Sequence, residues 1–442
     1  MNKNLSNSNQ AQPALQSHAA AENGASHQPQ PNPDPQPVTK INLSGYWENP
    51  VVLQRNNFVN KSLSSWSCNT SVGCTHGCLF CYVPEVATMK QASKLATLGV
   101  RDPDEQWGNY AFLRSWDEHK FRTSLHAAER TPVSALNADG NRAVMFCTTT
   151  DPYQVVKNAD PAAQKRLNRH GHLLLVRRSV ELILTESTLN VRILTRSPLA
   201  KLDFDLFKRF GNRLLFGMGL PTLDNELARI YEPNAPAPSR RLETLQAAKA
   251  ADIPVYVAVA PTYPECDEAD LRRTLTEVAK LDPVTVFHEP INIRADNVDR
   301  IRTHAASIGK TTRLDVLATK EAWFRYSMDQ LFLVQRLAGE VGLADRLHLW
   351  PDPELKSRKL FMALRRAERE QDHRARVWSK EEQAAHHELD EDAYAAHVAW
   401  LNGWWARVSE WPGKEADPSW QPPSYVTVPL VPSPTGKEVA QG

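Results

Sequence analysis

Four of the six cysteines, Cys68, Cys74, Cys78 and Cys81, fall within one short stretch of the chain. Three of them form Cys-x3-Cys-x2-Cys, with Phe80 immediately before the last. Three thiolates on one loop can hold three irons of a [4Fe–4S] cube and leave the fourth iron without a protein ligand. Clusters that only carry electrons normally take four thiolates. An open iron is where a small molecule can bind and receive an electron. With Cys68 added, the spacing is Cys-x5-Cys-x3-Cys-x2-Cys, which could also hold zinc through four thiolates. Structural zinc usually employs two separated Cys-x2-Cys knuckles, and only one is present here.

Further groups lie where short apolar runs end. Ala143–Phe146 leads into Cys147, Thr148, Thr149, Thr150 and Asp151. Those hydroxyls and that carboxylate can accept hydrogen bonds from an ammonium group. Val191–Thr195 leads into Arg196 and Ser197, and Arg196 can pair with a carboxylate. Gly217 and Gly219 either let a ligand approach the backbone or reflect close packing. His288, Glu289, Asn292 and Arg294 end another run. A lone histidine there is more often a hydrogen-bonded core residue than a ligand.

The elements that must position these groups alternate. Strands are expected at 63–67, 143–148, 191–196, 213–218, 254–260 and 284–289, separated by helical patterns. Leu271, Leu275 and Val278 share one helical face, and Pro238-Ser239 opens another helix. Alternation of this kind predicts a parallel sheet, with the chemistry at the C-terminal ends of its strands. Residues 100–142 form an unusually long connection, either a small insertion or a wall over the mouth.

The cysteine spacing with its aromatic residue resembles the radical S-adenosylmethionine (SAM) superfamily. Thr150-Asp-Pro-Tyr-Gln154, led into by Thr148 and Thr149, is similar to the spore photoproduct lyase-like branch. So are Thr195-Arg-Ser-Pro-Leu199, Thr222-Leu-Asp-Asn-Glu-Leu227 with Glu232-Pro233, Ser239-Arg-Arg241-Leu and Ala260-Pro-Thr-Tyr-Pro264. The likeness covers about 60–300. It implies a partial (β/α)6 TIM-type barrel, with Cys74, Cys78 and Cys81 as cluster ligands and SAM chelated at the free iron. Phe80 would lie against adenine. Thr148, Thr149, Thr150, Asp151, Arg196, Ser197 and Gly219 would surround SAM. The family usually has Lys where this chain has Arg196, so a planar fork replaces a point charge. The resemblance further implies an electron donor such as flavodoxin or ferredoxin, and reductive cleavage of SAM to a 5′-deoxyadenosyl radical that abstracts hydrogen from a substrate.

Two other readings stand beside this one. A DNA-lesion lyase would use Cys147 to return a hydrogen atom, although Cys147 stands one residue further from Asp151 than the branch pattern asks. On a strand, that offset turns a side chain to the outer face. A metal-stabilised nucleic-acid-binding protein would need no catalysis.

Composition bounds the rest. Lys plus Arg is 52 and Asp plus Glu is 51, giving a net charge of +1 and no general attraction to polyanions. Clustered cysteines suit metal in a reducing compartment rather than disulfides, and no apolar run is long enough to span a membrane. A cytoplasmic protein is expected. Residues 1–44 read as a disordered low-complexity tail, 45–305 as the barrel, 306–425 as a helical extension and 426–442 as a Pro-rich tail. Within the extension, a net basic helix at 354–378 is either a stripe facing nucleic acid or a solvated face. The tryptophans from Trp400 to Trp420 are expected to pack against the barrel.

Overall fold

The computed structural model describes residues 42–56, 64–136, 142–373 and 379–409. The tail up to residue 41, Trp411, Trp420 and the Pro-rich end lie outside the described residues. Eleven strands are described: β1 (Leu43–Pro50), β2 (Leu53–Arg55), β3 (Trp66–Cys68), β4 (Ser71–Gly73), β5 (Tyr110–Ser115), β6 (Ala143–Phe146), β7 (Asn190–Thr195), β8 (Leu214–Gly219), β9 (Val255–Thr262), β10 (Thr285–Pro290) and β11 (Leu347–Leu349).

Eight of them form one sheet in the order β11-β10-β9-β8-β7-β6-β3-β2. All neighbours from β3 to β11 pair in parallel, and β2 closes one edge antiparallel. The sheet is a partial TIM-type barrel. Its six expected strands are all present, with ends displaced by one or a few residues. The displacement that matters is at β6, which stops at Phe146 and leaves Cys147–Thr150 beyond the strand.

The strand pattern sorts side chains onto two faces. Val191, Ile193, Leu214, Phe216, Val255 and Val257 pack outward against the helices in the main core. The alternate positions Leu194, Leu215, Tyr256 and Phe287 make a smaller cluster on the opposite, inner face, with Trp350. The helix Glu268–Lys280 buries Leu271, Leu275 and Val278, as its spacing requires. At about 1.5–3 kcal/mol per fully buried large side chain, that stripe is enough to dock the helix. The helix Pro238–Ala250 starts with Pro238 in its first turn and Ala237 as its cap residue, so Ser239 is not the cap.

The long connection supplies β5, which pairs in parallel with β1 and antiparallel with β4. This three-stranded sheet has its own core of Trp47, Val72, Trp107, Tyr110 and Phe112. Gly73 ends β4 at φ +89°, and a Cβ there would lie 2.4 Å from the carbonyl oxygen of Tyr110. Only glycine lets the chain turn from that sheet into Cys74.

The C-terminal extension is not purely helical. After the helix Lys320–Glu340 it contributes β11, whose following residue Trp350 donates its N–H to the carbonyl of His288 at 2.8 Å. The helix Arg358–His373 turns its basic residues toward the last helix, Lys380–Ser409: Arg365 and Arg369 pair with Asp390, and Arg358 pairs with Glu391. Trp400 and Trp404 of that last helix are buried in the main core.

Candidate active site

The turn between Cys74 and Cys81 lies beyond β4 and is clamped from three sides. The Thr75 N–H donates to Gln154 at 2.8 Å. The Leu79 N–H donates to the Tyr231 carbonyl at 2.9 Å. Arg300 donates to the carbonyls of Leu79 and Cys81 at 3.0 and 2.6 Å. Gly77, at φ +54°, passes so close to Gly108 that a Cβ would come within 2.7 Å of it.

Cys74 and Cys78 are buried and Cys81 nearly so, and burial pushes each thiol up to about 12. Each of the three also feels the charge of another: Cys74 that of Cys81, Cys78 that of Cys74, and Cys81 that of Cys78. Three adjoining thiols that burial keeps protonated become thiolates together only if a strongly positive group binds them. A [4Fe–4S] cluster is such a group, so this donor set fits it. Among the described residues the three thiols are not drawn within 4.8 Å of one another. A single zinc ion, with Zn–S bonds of about 2.3 Å, would need them closer than that. Cys68 stands apart. It is fully buried in the main core on the outer face of β3, beside Ser179, Cys147 and Arg114.

Beside this turn lies a buried charge network. Arg196 donates from Nε to Glu232 at 2.7 Å, and Arg241 pairs with the other oxygen of Glu232. Arg241 also donates to the carbonyls of Gly219 at 3.0 Å and Pro236 at 2.7 Å. Burial alone would raise Glu232, but the two guanidinium groups outweigh it and hold the carboxyl down to about 2. Burial likewise opposes the charge of Arg196, and Glu232 and Cys78 more than restore it. Two cations against one carboxylate leave one positive charge next to Cys78. Arg196 further lies 5.5 Å from the ring of Phe80, which sits 6.0 Å from Tyr263.

The strand-end residues are largely engaged with one another. Asp151 accepts from the Thr195 hydroxyl (2.7 Å), the Tyr153 N–H (2.8 Å) and the Arg196 N–H (2.8 Å), and it faces His76 Nδ1 at 3.3 Å. Burial works to raise it, yet His76 and these donors hold it below the usual carboxylate range. Four partners fill the acceptor sites of a carboxylate, so Asp151 ties β6, β7 and the cysteine turn together. Thr148 and Thr149 bond to Asn69, and Thr150 donates to the Gly73 carbonyl at 2.7 Å. Ser197 caps the following turn by accepting from the Leu199 N–H. The space over Gly219 holds the Arg196 guanidinium, and that over Gly217 holds the Tyr256 ring. Protein fills both.

Cys147 takes φ +62°, a left-handed conformation uncommon outside glycine. Its sulfur lies 3.3 Å from the Thr70 hydroxyl and 3.6 Å from the Cys68 carbonyl. Strand parity does not govern it, because β6 has already ended. His288 is fully buried on β10, with Nδ1 at 3.1 Å from the Val259 carbonyl, and burial lowers it to about 4.

The sequence does not single out Asn69, His76 and Arg300 as working residues, and it shows Gln154, Glu232 and Arg241 only as pieces of motif. His76 sits inside the cysteine turn, which was the signal available. Arg300 gave none, since its two carbonyl acceptors lie more than 200 residues earlier.

The clamped thiol turn and the buried charge network thus lie together beyond the strand ends of a parallel barrel. Residues 68–278 match the family model of the radical SAM superfamily. An uncharacterized protein of Acidianus two-tailed virus is 28% identical over 279 residues, covering 60% of this chain and 83% of its own. An uncharacterized protein of Methanocaldococcus jannaschii is 21% identical over 260 residues, covering 58% and 81%. Among solved structures, a variant of spore photoproduct lyase is similar with a TM-score of 0.48 at 10% identity, covering 69% of this chain and 80% of that one. Among the described residues no helix is long and apolar enough to cross a membrane.

Proposed function

We propose that this protein reductively cleaves SAM and uses the resulting 5′-deoxyadenosyl radical to abstract hydrogen from a substrate. Cys74, Cys78 and Cys81 would hold a [4Fe–4S] cluster. When bound, that group supplies an iron open to the amino and carboxylate groups of SAM and the electron that breaks its S–C5′ bond. The rest falls to this chain's side chains. Arg196 keeps its terminal nitrogens unpartnered among the described residues, while Nε is fixed by Glu232. It is thereby a preset cation for the methionine carboxylate. Phe80 offers an apolar face to adenine, backed by the buried Tyr263. Asp151 holds the Arg196 backbone and His76 in place and takes no ligand itself. The inner cluster of Tyr256, Phe287 and Trp350 floors the barrel and keeps water from a radical formed above it.

One observation carries this reading. Two buried thiols and a third nearly buried share one clamped turn beside a net positive network, while Cys68 lies apart in the main core. Anaerobic reconstitution tests it: the protein should bind about four irons and form 5′-deoxyadenosine from SAM when dithionite is added. Iron binding without cleavage would leave the metal-stabilised binding protein.

A second reading, a DNA-lesion lyase using Cys147, is favoured by the left-handed backbone at that residue. Strain of this kind gathers at functional sites. Repair of a dinucleoside spore photoproduct, lost in Cys147→Ala while SAM cleavage persists, would support it. No repair by the parent protein would end it.

A further inference from the structure

Reductive cleavage of SAM takes up one electron, and on the reading above that electron comes from outside the chain. The open end of the barrel is taken by SAM and substrate, so the donor must approach from another side. We propose that a small acidic one-electron carrier protein docks on the outer face formed by β1, the segment 153–174 and the turn Pro198–Asp203. This proposal rests on the SAM-cleavage reading.

Three observations meet on that face. Among the described residues eight large apolar side chains are exposed. Six of them, Tyr46, Val155, Leu173, Leu174, Leu199 and Leu202, belong to these segments, leaving only Met89 and Ile308 elsewhere. Val155, Leu199 and Leu202 line a cavity of about 390 Å³ together with Arg169 and His172. Tyr46 meets the same region edge-on through His170, at 5.1 Å between ring centroids. Contiguous exposed apolar surface with a recess at its centre is the form a protein interface takes.

Cations outnumber acids around this surface. Lys157, Lys165, Arg169 and Lys201 are exposed on the same segments, and among the described residues none of them is in an ion pair. The acids nearby are engaged. Asp160 caps the helix Pro161–Arg169, and Asp205 is held by Arg177. Asp203 is buried against Arg177, His172 and Tyr153. An apolar centre ringed by unpaired cations complements a partner whose redox group is ringed by carboxylates.

The cavity also leads to the cysteine turn. Its wall includes Thr70, Asp151 and Gln154. Gln154 accepts from the N–H of Thr75, the residue after Cys74, and Asp151 faces His76. A carrier seated here is therefore one side chain removed from Thr75 and His76, which lie between Cys74 and Cys78 in the cysteine turn. The balance is simple: the carrier is oxidised by one electron, the S–C5′ bond breaks, and methionine and the 5′-deoxyadenosyl radical result.

The test uses the full-length, cluster-loaded protein, with an acidic flavodoxin as probe. Parent protein should bind it by calorimetry, with affinity falling as salt rises. The double variant Arg169→Glu/Leu202→Asp should bind at least about tenfold more weakly and lose flavodoxin-driven 5′-deoxyadenosine formation to the same extent. Dithionite-driven formation should stay near the parent level, and the remote control Lys310→Glu should change neither. Unaltered flavodoxin binding in the double variant overturns the proposal. So does a dimer of this chain that the double variant abolishes, because the face would then belong to a second copy. If dithionite gives no cleavage even in the parent, the SAM-cleavage reading is what has failed, and the calorimetry still reports on the surface.

Discussion

The cysteine end of the barrel and its inner floor are built on opposite principles. Around the turn, polar and charged groups are buried in pairs: Glu232 between two arginines, Asp151 among four donors, loop carbonyls under Arg300. The floor is an aromatic plug. Tyr256 lies over Gly217, and Phe287 stacks on Trp350 with ring centroids 4.4 Å apart. The first region fixes a charged cofactor by directional bonds, each of which is costly to break. The second excludes water by shape and should yield to mutation more gently.

Removal of a thiol gives the largest expected contrast. Cys78→Ala should reduce bound iron and 5′-deoxyadenosine to background, whereas Cys68→Ala should retain both. Iron analysis of the two reconstituted variants decides this, and loss of iron in Cys68→Ala would make Cys68 a fourth ligand. Next, Glu232→Ala strands two buried guanidinium groups and should destabilise the protein by about 3–5 kcal/mol in chemical denaturation. On the floor, Gly217→Ala would drive a Cβ to 2.3 Å from the Tyr256 ring. The ring can shift, so a loss of about 1–3 kcal/mol is expected. A loss exceeding that of Glu232→Ala would erase the distinction between the two regions.

Acid provides a graded probe of the barrel wall through His288. Its folded pKa, about 4, lies below its ordinary 6.5, so the native state favours the neutral ring. The unfolded chain binds the extra proton, and stability present above pH 6.5 is lost as pH falls toward 4. The full effect is roughly 3 kcal/mol. Denaturation of the protein before reconstitution, at pH 7 and pH 5, should show the decline, and His288→Asn should flatten it. The smallest effect is expected at Cys147→Gly. Relief of the left-handed backbone offsets the lost side chain to within about 1 kcal/mol.

The cysteine end was legible in the sequence for a physical reason. Ligand spacing and strand-end polarity are local, so Cys74 to Cys81 and Thr148 to Asp151 show themselves within a few residues. The six expected strands were equally readable from their β-branched runs. What stayed hidden depends on distant partners. Leu347–Leu349 is too short to signal a strand until β10 offers it an edge. Gly217 and Gly219 left open whether a ligand or close packing fills the space above them, and Tyr256 and Arg196 occupy it. The side of Cys147 could not be read from alternation, because alternation stops where β6 stops. The basic helix after residue 354 read equally as a stripe for nucleic acid or a solvated face; Arg358, Arg365 and Arg369 pair with Glu391 and Asp390, and residues 374–378 lie outside the described residues.

Arg300 has a consequence in time as well as space. It binds carbonyls 221 and 219 residues upstream. At typical rates of synthesis the cysteine turn is made roughly 10–45 s before that arginine exists. The turn can therefore take its clamped form only once Arg300 has been added and has folded back onto Leu79 and Cys81.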